Sequence, residues 1–278
     1  SGMWFEKEGK VVISLPGVPY EVKGIMREFG FKKLQDHFDL PEIYHRTILT
    51  WGRGESYIAK IISEWEEKAT ESGLKIAFLP SVGQVKIRIS GNTQNKGQIS
   101  LINNAADELY TLIPELIFGE DFDSIEKKLG EVLRQKKKSL ATAESCTGGY
   151  IAHLLTKVPG SSDYFKGSVI AYSNEIKEKV LNVSASSIQK EGAVSEIVVK
   201  QMAENVRNLF NTDFAIATSG IAGPDGGSDE KPVGMIWIAI ASKKGTYSKC
   251  LQLGTRRLNN IFVASIVCLG KLLKEMQD

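Results

Sequence analysis

The chain has 278 residues, of which 42% are hydrophobic and 24% are charged, and these ordinary proportions exclude a wholly disordered protein. Lys and Arg exceed Asp and Glu only by 35 to 33, which argues against a general nucleic-acid or membrane-surface binder. The three cysteines form no CxxC pair and there are only three histidines, so a disulfide scaffold and a Cys/His zinc site are both poor interpretations.

Length and hydropathy predict a cytoplasmic α/β protein of about two domains. No apolar run in the sequence approaches the ~20 residues that a membrane span needs. The start, SGMWFEKEGK, has no basic segment leading into an apolar stretch, which is the pattern of a secretory leader.

The first part of the chain predicts little structure of its own. Residues 10–15 (KVVISL) predict a short buried strand, a turn of sequence PGVP follows, and residues 20–29 predict a helix. One strand and one helix are too little for an independent core, because domains below about 40 residues usually need a disulfide, a metal or oligomerisation to be stable. This segment therefore either leans on the next domain or is the end of a larger one.

Residues 42–117 predict one compact α/β unit. Its predicted elements are a strand at 45–50, a helix at 55–71, strands at 75–79 and 84–90, and a helix at 98–112. The order β-α-β-β-α suits a small open sheet with helices on one side. The unit carries no Gly-rich phosphate loop, and residues 114–123 are the predicted boundary to the next domain.

The rest of the chain predicts a single α/β domain with mixed strand direction. Its predicted elements, in order, are a helix at 124–135, a strand at 139–143, a helix at 149–157, a strand at 169–172, a helix at 195–210, a strand at 213–218, a hairpin of 235–241 and 246–253, and a helix at 258–276. The link at 242–245 is rich in turn residues, as an antiparallel hairpin requires.

The strongest local signal is AESCTGG at residues 143–149, between a strand and a helix start. Ligands of open α/β sheets gather at such junctions, and a helix start offers free N–H groups to an anion or oxyanion. Ser145 is one candidate nucleophile. Cys146 is another, because a thiol pKa falls at a helix start, although the nearest histidine in sequence, His153, lies on the following helix. The residues taken alone favour the other interpretation, in which Ser145 or Thr147 caps the helix and the glycines form a tight turn.

Three further segments follow predicted strands. SGIAGPDGG at 219–227 is interpreted as a βα-type exit, with ligand contact and a flexible loop both open. In AYSNEIK at 171–177, Tyr172 and Lys177 can project into one cleft, although Lys177 taken alone suggests a solvated helix lysine. In GTRR at 254–257, Arg256 suits either a phosphate or the solvated surface.

These motifs, ATAESCTGG, AYSNEIKEKVL, ATSGIAGPDGG with KPVG, and GTR, in this order and spacing, resemble the CinA carboxy-terminal domain. Stand-alone members of that family are known as PncC, nicotinamide mononucleotide deamidases. The resemblance implies a larger α/β/α sandwich with a mixed sheet at residues 121–278. Residues 43–120 are similar to the family's small KH-like α/β middle domain. Residues 1–42 (LPGVPYEVKGIM) resemble the tail of a truncated, molybdopterin-binding-like N-terminal domain.

The resemblance also implies an activity and four catalytic residues. The family hydrolyses the carboxamide of nicotinamide mononucleotide through a Ser–Lys pair, which releases ammonia and needs neither a metal nor a cofactor. Ser145 matches the nucleophile, Lys177 the base and Tyr172 the active-site tyrosine. Ser219 stands where many relatives have threonine, so the hydroxyl is kept. The implied partners are a small pyridine nucleotide and, as in the family, a second copy in a homodimer.

The substrate-binding residues carried over from the family lie in three of the motifs. They are Thr147, Gly148, Gly149, Gly220, Gly223 and Arg256. Backbone N–H groups of 147–149 or 219–220 would hold the oxyanion. The family often has a second arginine four residues after the first; here that position is Asn260, and Arg257 is extra.

Two alternatives from other classes remain. One is a binding or scaffold role in competence or DNA damage, which the family name suggests and the near-neutral charge argues against. The other is a metal-dependent ADP-ribose pyrophosphatase, an activity proposed for the first domain of the full-length family protein.

Overall fold

The structure, a computed structural model, describes residues 2–121 and 124–277. By its internal contacts the chain divides into two units, one of Ser1–Tyr44 with Asn92–Ile99 and one of His45–Gly91 with Ser100–Asp278. Within the described residues, no helix is both long and apolar enough to cross a bilayer.

The first unit holds more structure than its sequence predicts. Strands β1 (Met3–Lys7) and β2 (Lys10–Ser14) form an antiparallel hairpin. Helices α1 (Pro19–Ile25) and α2 (Phe31–His37) follow, joined by a short π-helix (Met26–Gly30). Strand β1 and helix α2 were not predicted. The strand pairs with β2 along its whole length, and such pairing does not show in a five-residue segment taken alone.

A four-stranded sheet and its helices come next, and all but a few of their terminal residues belong to the second unit. The elements are β3 (Ile43–Trp51), α3 (Glu55–Ile61), α4 (Ser63–Glu71), β4 (Lys75–Ser81), β5 (Gln84–Asn92), α5 (Gln98–Leu112) and β6 (Ile117–Glu120), with strand order β4-β5-β3-β6. Two predictions are corrected. The helix at 55–71 breaks at Ile62, and the boundary segment contains β6, which pairs antiparallel with β3. We call residues 45–91 and 100–120 the middle module.

Residues 124–277, here called the sandwich module, form a layered α/β structure. Its elements are α6 (Ile125–Gln135), β7 (Leu140–Glu144), α7 (Tyr150–Thr156), β8 (Phe165–Ile170), α8 (Asn174–Lys179), α9 (Ala185–Glu191), α10 (Glu196–Leu209), β9 (Phe214–Gly220), β10 (Met235–Ser242), β11 (Gly245–Gln252) and α11 (Arg257–Gln277). The strand order is β11-β10-β9-β7-β8; β7 runs parallel to β8 and β9, and β10 runs antiparallel to β9 and β11. The predicted mixed sheet and its hairpin are confirmed.

The two faces of this sheet differ in side-chain size. On β9 and β10, isoleucines 216, 236, 238 and 240 pack in one core with α6, α7 and α11. The alternate positions, alanines 215, 217, 239 and 241, pack in a second core with α9 and α10. Because successive side chains of a strand point to opposite faces, isoleucines fill one face, and the alanines with the partly buried Trp237 form the face against which α10 packs.

The parallel strands bring the sequence motifs to one edge of the sheet. Strands β7, β8 and β9 all end at this edge, and β11 does too because it is antiparallel to β10. Two predictions about these exits are wrong. Strand β8 ends at Ile170, before Tyr172, and the glycine-rich loop after β9 leads back as β10 and not into a helix.

Contacts within the second unit also join the middle module to α11. A Cβ on Gly270 would lie 2.5 Å from the Trp51 ring, so only glycine lets β3 approach the helix so closely. The turn between β4 and β5 lies against the same helix, because a Cβ on Gly83 would meet Val263 at 3.4 Å. Leu49 and Phe118 of the middle module belong to the same hydrophobic core as the isoleucines that pack with α6, α7 and α11.

Candidate active site

Ser145 and Lys177 meet at the carboxyl edge of the sheet. Ser145 directly follows β7, and its N–H donates to the Thr218 carbonyl at 3.1 Å. Lys177 lies on α8, whose N-terminus is capped by Ser173. Its Nζ lies 3.1 Å from Ser145 Oγ, and it donates to the carbonyls of Ala171 at 2.8 Å and Tyr172 at 3.4 Å.

The interpretation of Lys177 as a solvated lysine is wrong, because only 1% of the residue is exposed. Burial lowers its pKa, and the nearby Cys146 thiol acts weakly in the opposite direction. None of the ion pairs between described residues includes Lys177. A buried amine without a carboxylate partner favours its neutral form.

Cys146 does not have the reactive environment expected of a nucleophile at a helix start. Burial raises the pKa of its thiol to about 12, so the thiolate is scarce at neutral pH. His153 is exposed on α7 and packs beside Tyr150. The hydroxyl of Ser145 is therefore the better nucleophile of the two neighbours.

The N-terminus of α7 is occupied by the buried carboxylate of Glu144. It accepts hydrogen bonds from the N–H groups of Gly149 (3.1 Å), Ile151 (3.0 Å) and Ala152 (2.8 Å). The Thr147 hydroxyl also donates to it, at 2.7 Å. The helix start is thus satisfied from within the chain and is not an open anion site.

The glycine turn before α7 serves this cap. Gly149 adopts φ +94°, and a Cβ there would lie 3.0 Å from the Ile170 side chain. The Gly148 N–H donates to the Ser145 carbonyl at 3.1 Å. Of the three N–H groups in 147–149, only that of Thr147 has no acceptor among the described residues. None of these three residues lines the cavity described next.

A cavity of about 280 Å³ opens over the Ser145–Lys177 pair. Its lining residues are Ser145, Cys146, Tyr172, Asn174, Lys177, Ala193, Val194, Ser219, Gly220, Ile221, Ala222, Gly223, Asp225 and Arg257. The structure therefore brings six of the ten predicted site residues together. A cavity of about 560 Å³ near Lys138 and Tyr247 contains none of them.

Arg257, the first residue of α11, lies at this cavity, whereas Arg256 does not line it. The Arg257 guanidinium donates to the Tyr172 hydroxyl at 2.9 Å and to the Gly223 carbonyl at 2.8 Å. The resemblance assigned substrate binding to Arg256, but the arginine at the cavity is Arg257. Ser219 donates to the Ala193 carbonyl at 2.7 Å and so joins two cavity walls.

No role was predicted from the sequence for Glu144, Asp225 or Asn260. The side-chain amide of Asn260 donates to the carbonyls of Ala222 (2.9 Å) and Gly254 (2.7 Å) and so fastens the glycine-rich loop to α11. For Glu144 a signal existed, since a carboxylate between an apolar strand and a helix start suits a cap.

Comparison with known proteins gives two family models and several relatives. The CinA C-terminal domain model matches residues 122–276, and the damage-inducible protein CinA KH domain model matches residues 45–119. A CinA-like protein of Cytophaga hutchinsonii is 46% identical over 278 residues, 100% of this chain and 66% of its own length. One of Flavobacterium psychrophilum is 44% identical over 280 residues, 99% of this chain and 66% of its own.

Solved structures give the same relationship. The CinA superfamily protein KP700603 of Klebsiella pneumoniae is 29% identical, with a TM-score of 0.54 over 55% of this chain and 96% of that one. The competence/damage inducible protein CihA of Agrobacterium tumefaciens is 31% identical, with a TM-score of 0.53 over 57% and 99%. The predicted fold class, a small KH-like domain and a larger mixed-sheet domain, is confirmed. With a family model matched over more than half of its residues, the chain belongs to the CinA family.

Proposed function

We propose that this chain is a nicotinamide mononucleotide amidohydrolase that works through Ser145 and Lys177. The observation that supports this activity is the buried Lys177 Nζ at 3.1 Å from Ser145 Oγ. The proposal concerns this chain, which spans 66% of the length of its curated relatives.

The surroundings of Nζ suit a general base. A neutral amine has two N–H donors and one lone pair. The carbonyls of Ala171 and Tyr172 can accept the two N–H groups, which leaves the lone pair for the Ser145 hydroxyl. That hydroxyl then donates to Nζ, and the serine oxygen gains nucleophilic character.

An amide is a poor electrophile, so the reaction needs this activation and a stabilised oxyanion. In the proposed first step the Ser145 proton moves to Nζ while Oγ bonds to the carboxamide carbon. The N–H groups of Gly148 and Gly149 already have acceptors. The residues of this turn also do not line the cavity. We therefore assign the oxyanion to the backbone N–H groups of Ser219 and Gly220, whose residues do line it.

The tetrahedral intermediate then collapses. The Lys177 ammonium gives its proton to the departing nitrogen, and the C–N bond breaks. Ammonia departs, and the acyl group remains on Ser145 as an ester. Water attacks this ester while Lys177 takes a proton from the water. The Lys177 ammonium then gives that proton to Ser145 Oγ as the acyl–oxygen bond breaks, and the nicotinate nucleotide is released. A proton on Lys177 is needed only during these steps, which agrees with its burial away from carboxylates.

Arg257 is the proposed contact of the substrate phosphate. Two of its five N–H donors are bound to Tyr172 and Gly223, which fixes the plane of the guanidinium and leaves other donors for a phosphate. Tyr172 therefore acts through Arg257 and orients it.

The test is ammonia release from nicotinamide mononucleotide by the wild type and by Ser145→Ala. We expect the substitution to lower turnover at least about a hundredfold, because the covalent route is lost. Cys146→Ala is the matched control next in sequence, and it should retain most of the turnover since its thiol stays protonated. Unchanged turnover in Ser145→Ala, or no ammonia from wild type, would overturn the proposal.

A further inference from the structure

The cavity lining contains one lysine, one arginine and one aspartate, in different environments. They are Lys177, Arg257 and Asp225. Lys177 favours its neutral form, and Arg257 is held by Tyr172 and Gly223. Asp225 is the only acidic residue of the lining within the described chain. No hydrogen bond or ion pair between described residues involves its side chain.

Asp225 sits on a loop that is fastened on both sides. The Ala222 and Gly223 carbonyls before it accept from Asn260 and Arg257. After it, the Gly234 N–H donates to the Ile221 carbonyl at 2.8 Å, and Lys231 Nζ donates to the Glu191 carbonyl. The carboxylate is therefore carried at the cavity wall by an anchored segment.

We propose that Asp225 selects substrates whose ring bears a positive charge. This inference rests on the proposed function, whose substrate combines a pyridinium ring with a phosphate. A cavity with one unpaired carboxylate and one separate guanidinium suits a ligand that carries both signs of charge. Arg257 meets the phosphate and Asp225 attracts the cationic ring, which turns the carboxamide toward Ser145.

The reduced, 1,4-dihydro form of the same mononucleotide isolates this effect. It keeps the carboxamide, ribose and phosphate, but its ring is neutral. The two forms also differ in intrinsic reactivity, because the pyridinium withdraws electrons from the amide. That difference is the same for every enzyme variant, so a change in substrate preference between variants reports on Asp225 alone.

The experiment measures kcat/KM for ammonia release from both forms with wild type, Asp225→Asn and Asp229→Asn. Asp229 lies in the same loop and is exposed, as Asp225 is, but it does not line the cavity, so it controls for loss of a nearby charge. We expect Asp225→Asn to lower kcat/KM for the cationic form about fivefold, the size of one partly solvated charge pair. The value for the neutral form should stay within about twofold, as should both values for Asp229→Asn.

A binding measurement keeps the inference separate from the reaction. In a Ser145→Ala background, calorimetry compares the affinity of both mononucleotides with and without Asp225→Asn. Wild-type turnover with an unchanged preference in Asp225→Asn overturns the inference and leaves the proposed function intact. Charge-dependent binding without turnover in wild type supports the inference and overturns the function. If neither mononucleotide binds, both are overturned.

Discussion

Nζ of Lys177 lies 3.1 Å from Oγ of Ser145, although 32 residues separate them in the chain. Strands β7 and β8 are parallel neighbours, so the segments that follow them leave the sheet side by side. The short helix α8 then turns the lysine back beneath the carbonyls of Ala171 and Tyr172. The chemistry of the site therefore depends on the protonation of one buried amine.

The first prediction concerns pH. Because burial lowers the pKa of Lys177 from its usual 10.5, the neutral base appears at lower pH than for a free lysine. We expect kcat/KM to rise with pH and to level off below pH 10.5. Lys177→Arg should lower turnover by about a hundredfold or more, the size of a lost general base, because a guanidinium stays protonated.

Lys179, two residues after Lys177, provides the control for the Lys177→Arg substitution. Lys179 is exposed and pairs with Glu175 at 2.6 Å, so Lys179→Arg should leave both turnover and the pH profile in place. A pH-rate profile of wild type that is flat between pH 6 and 10, with an active Lys177→Arg, contradicts a base at this position.

The second prediction separates two adjacent arginines. Arg257→Ala should raise KM for the mononucleotide about tenfold or more, since a charge-assisted bond to phosphate is lost. Arg256→Ala should have the smaller effect, because Arg256 does not line the cavity. Steady-state kinetics of both variants gives the comparison, and the reverse order would return the phosphate contact to Arg256.

Tyr172→Phe refines the same prediction. It removes only the hydroxyl that accepts from Arg257 at 2.9 Å. If the tyrosine orients the arginine, KM should rise by about threefold, the loss of one ordinary hydrogen bond, with a smaller change in kcat. A loss confined to kcat would indicate a direct part in the reaction.

The third prediction concerns the stability of the catalytic turn. Glu144→Ala leaves the N–H groups of Gly149, Ile151 and Ala152 without their acceptor in the interior. We expect the free energy of unfolding to fall by about 3 kcal/mol or more, as for other broken buried polar networks. Urea unfolding measures this change.

The isosteric Glu144→Gln keeps one carbonyl oxygen as acceptor and should lose less. As a control, Glu175→Ala on the exposed surface of α8 should cost under about 1 kcal/mol. A Glu144→Ala protein as stable as wild type would mean that water can satisfy these three N–H groups.

The sequence predicts strands and the hairpin of the sandwich module well because their apolar runs are local. It fails for β6, a four-residue strand whose stability comes from pairing with β3. It also misplaces the bounds of β8, because the first residues of this strand are not an apolar run and only their pairing with β7 makes them a strand. Pairing between distant segments is not encoded in the propensity of either one.

For the candidate site, the sequence predicts which segments meet, but not which of their side chains are buried or line the cavity. Lysines are rarely buried, so the 1% exposure of Lys177 follows only from the packing of α8. Arg256 and Arg257 differ by one helical position, and the exact start of α11 decides which one reaches the cavity. Asp225 lies in a loop where composition predicts no fixed direction.

The two faces of β9 and β10 carry side chains of different size, and this difference also affects the site at the end of β9. If β9 slipped by one residue, Ile216 would turn toward α10, into space that Ala215 and Ala217 fill on this strand, and voids would open against α11. The same slip would rotate Ser219 away from the Ala193 carbonyl that it contacts. The alanine side chains in the middle of the sheet thus fix the register of β9, and with it the direction of the Ser219 hydroxyl at the edge of the sheet.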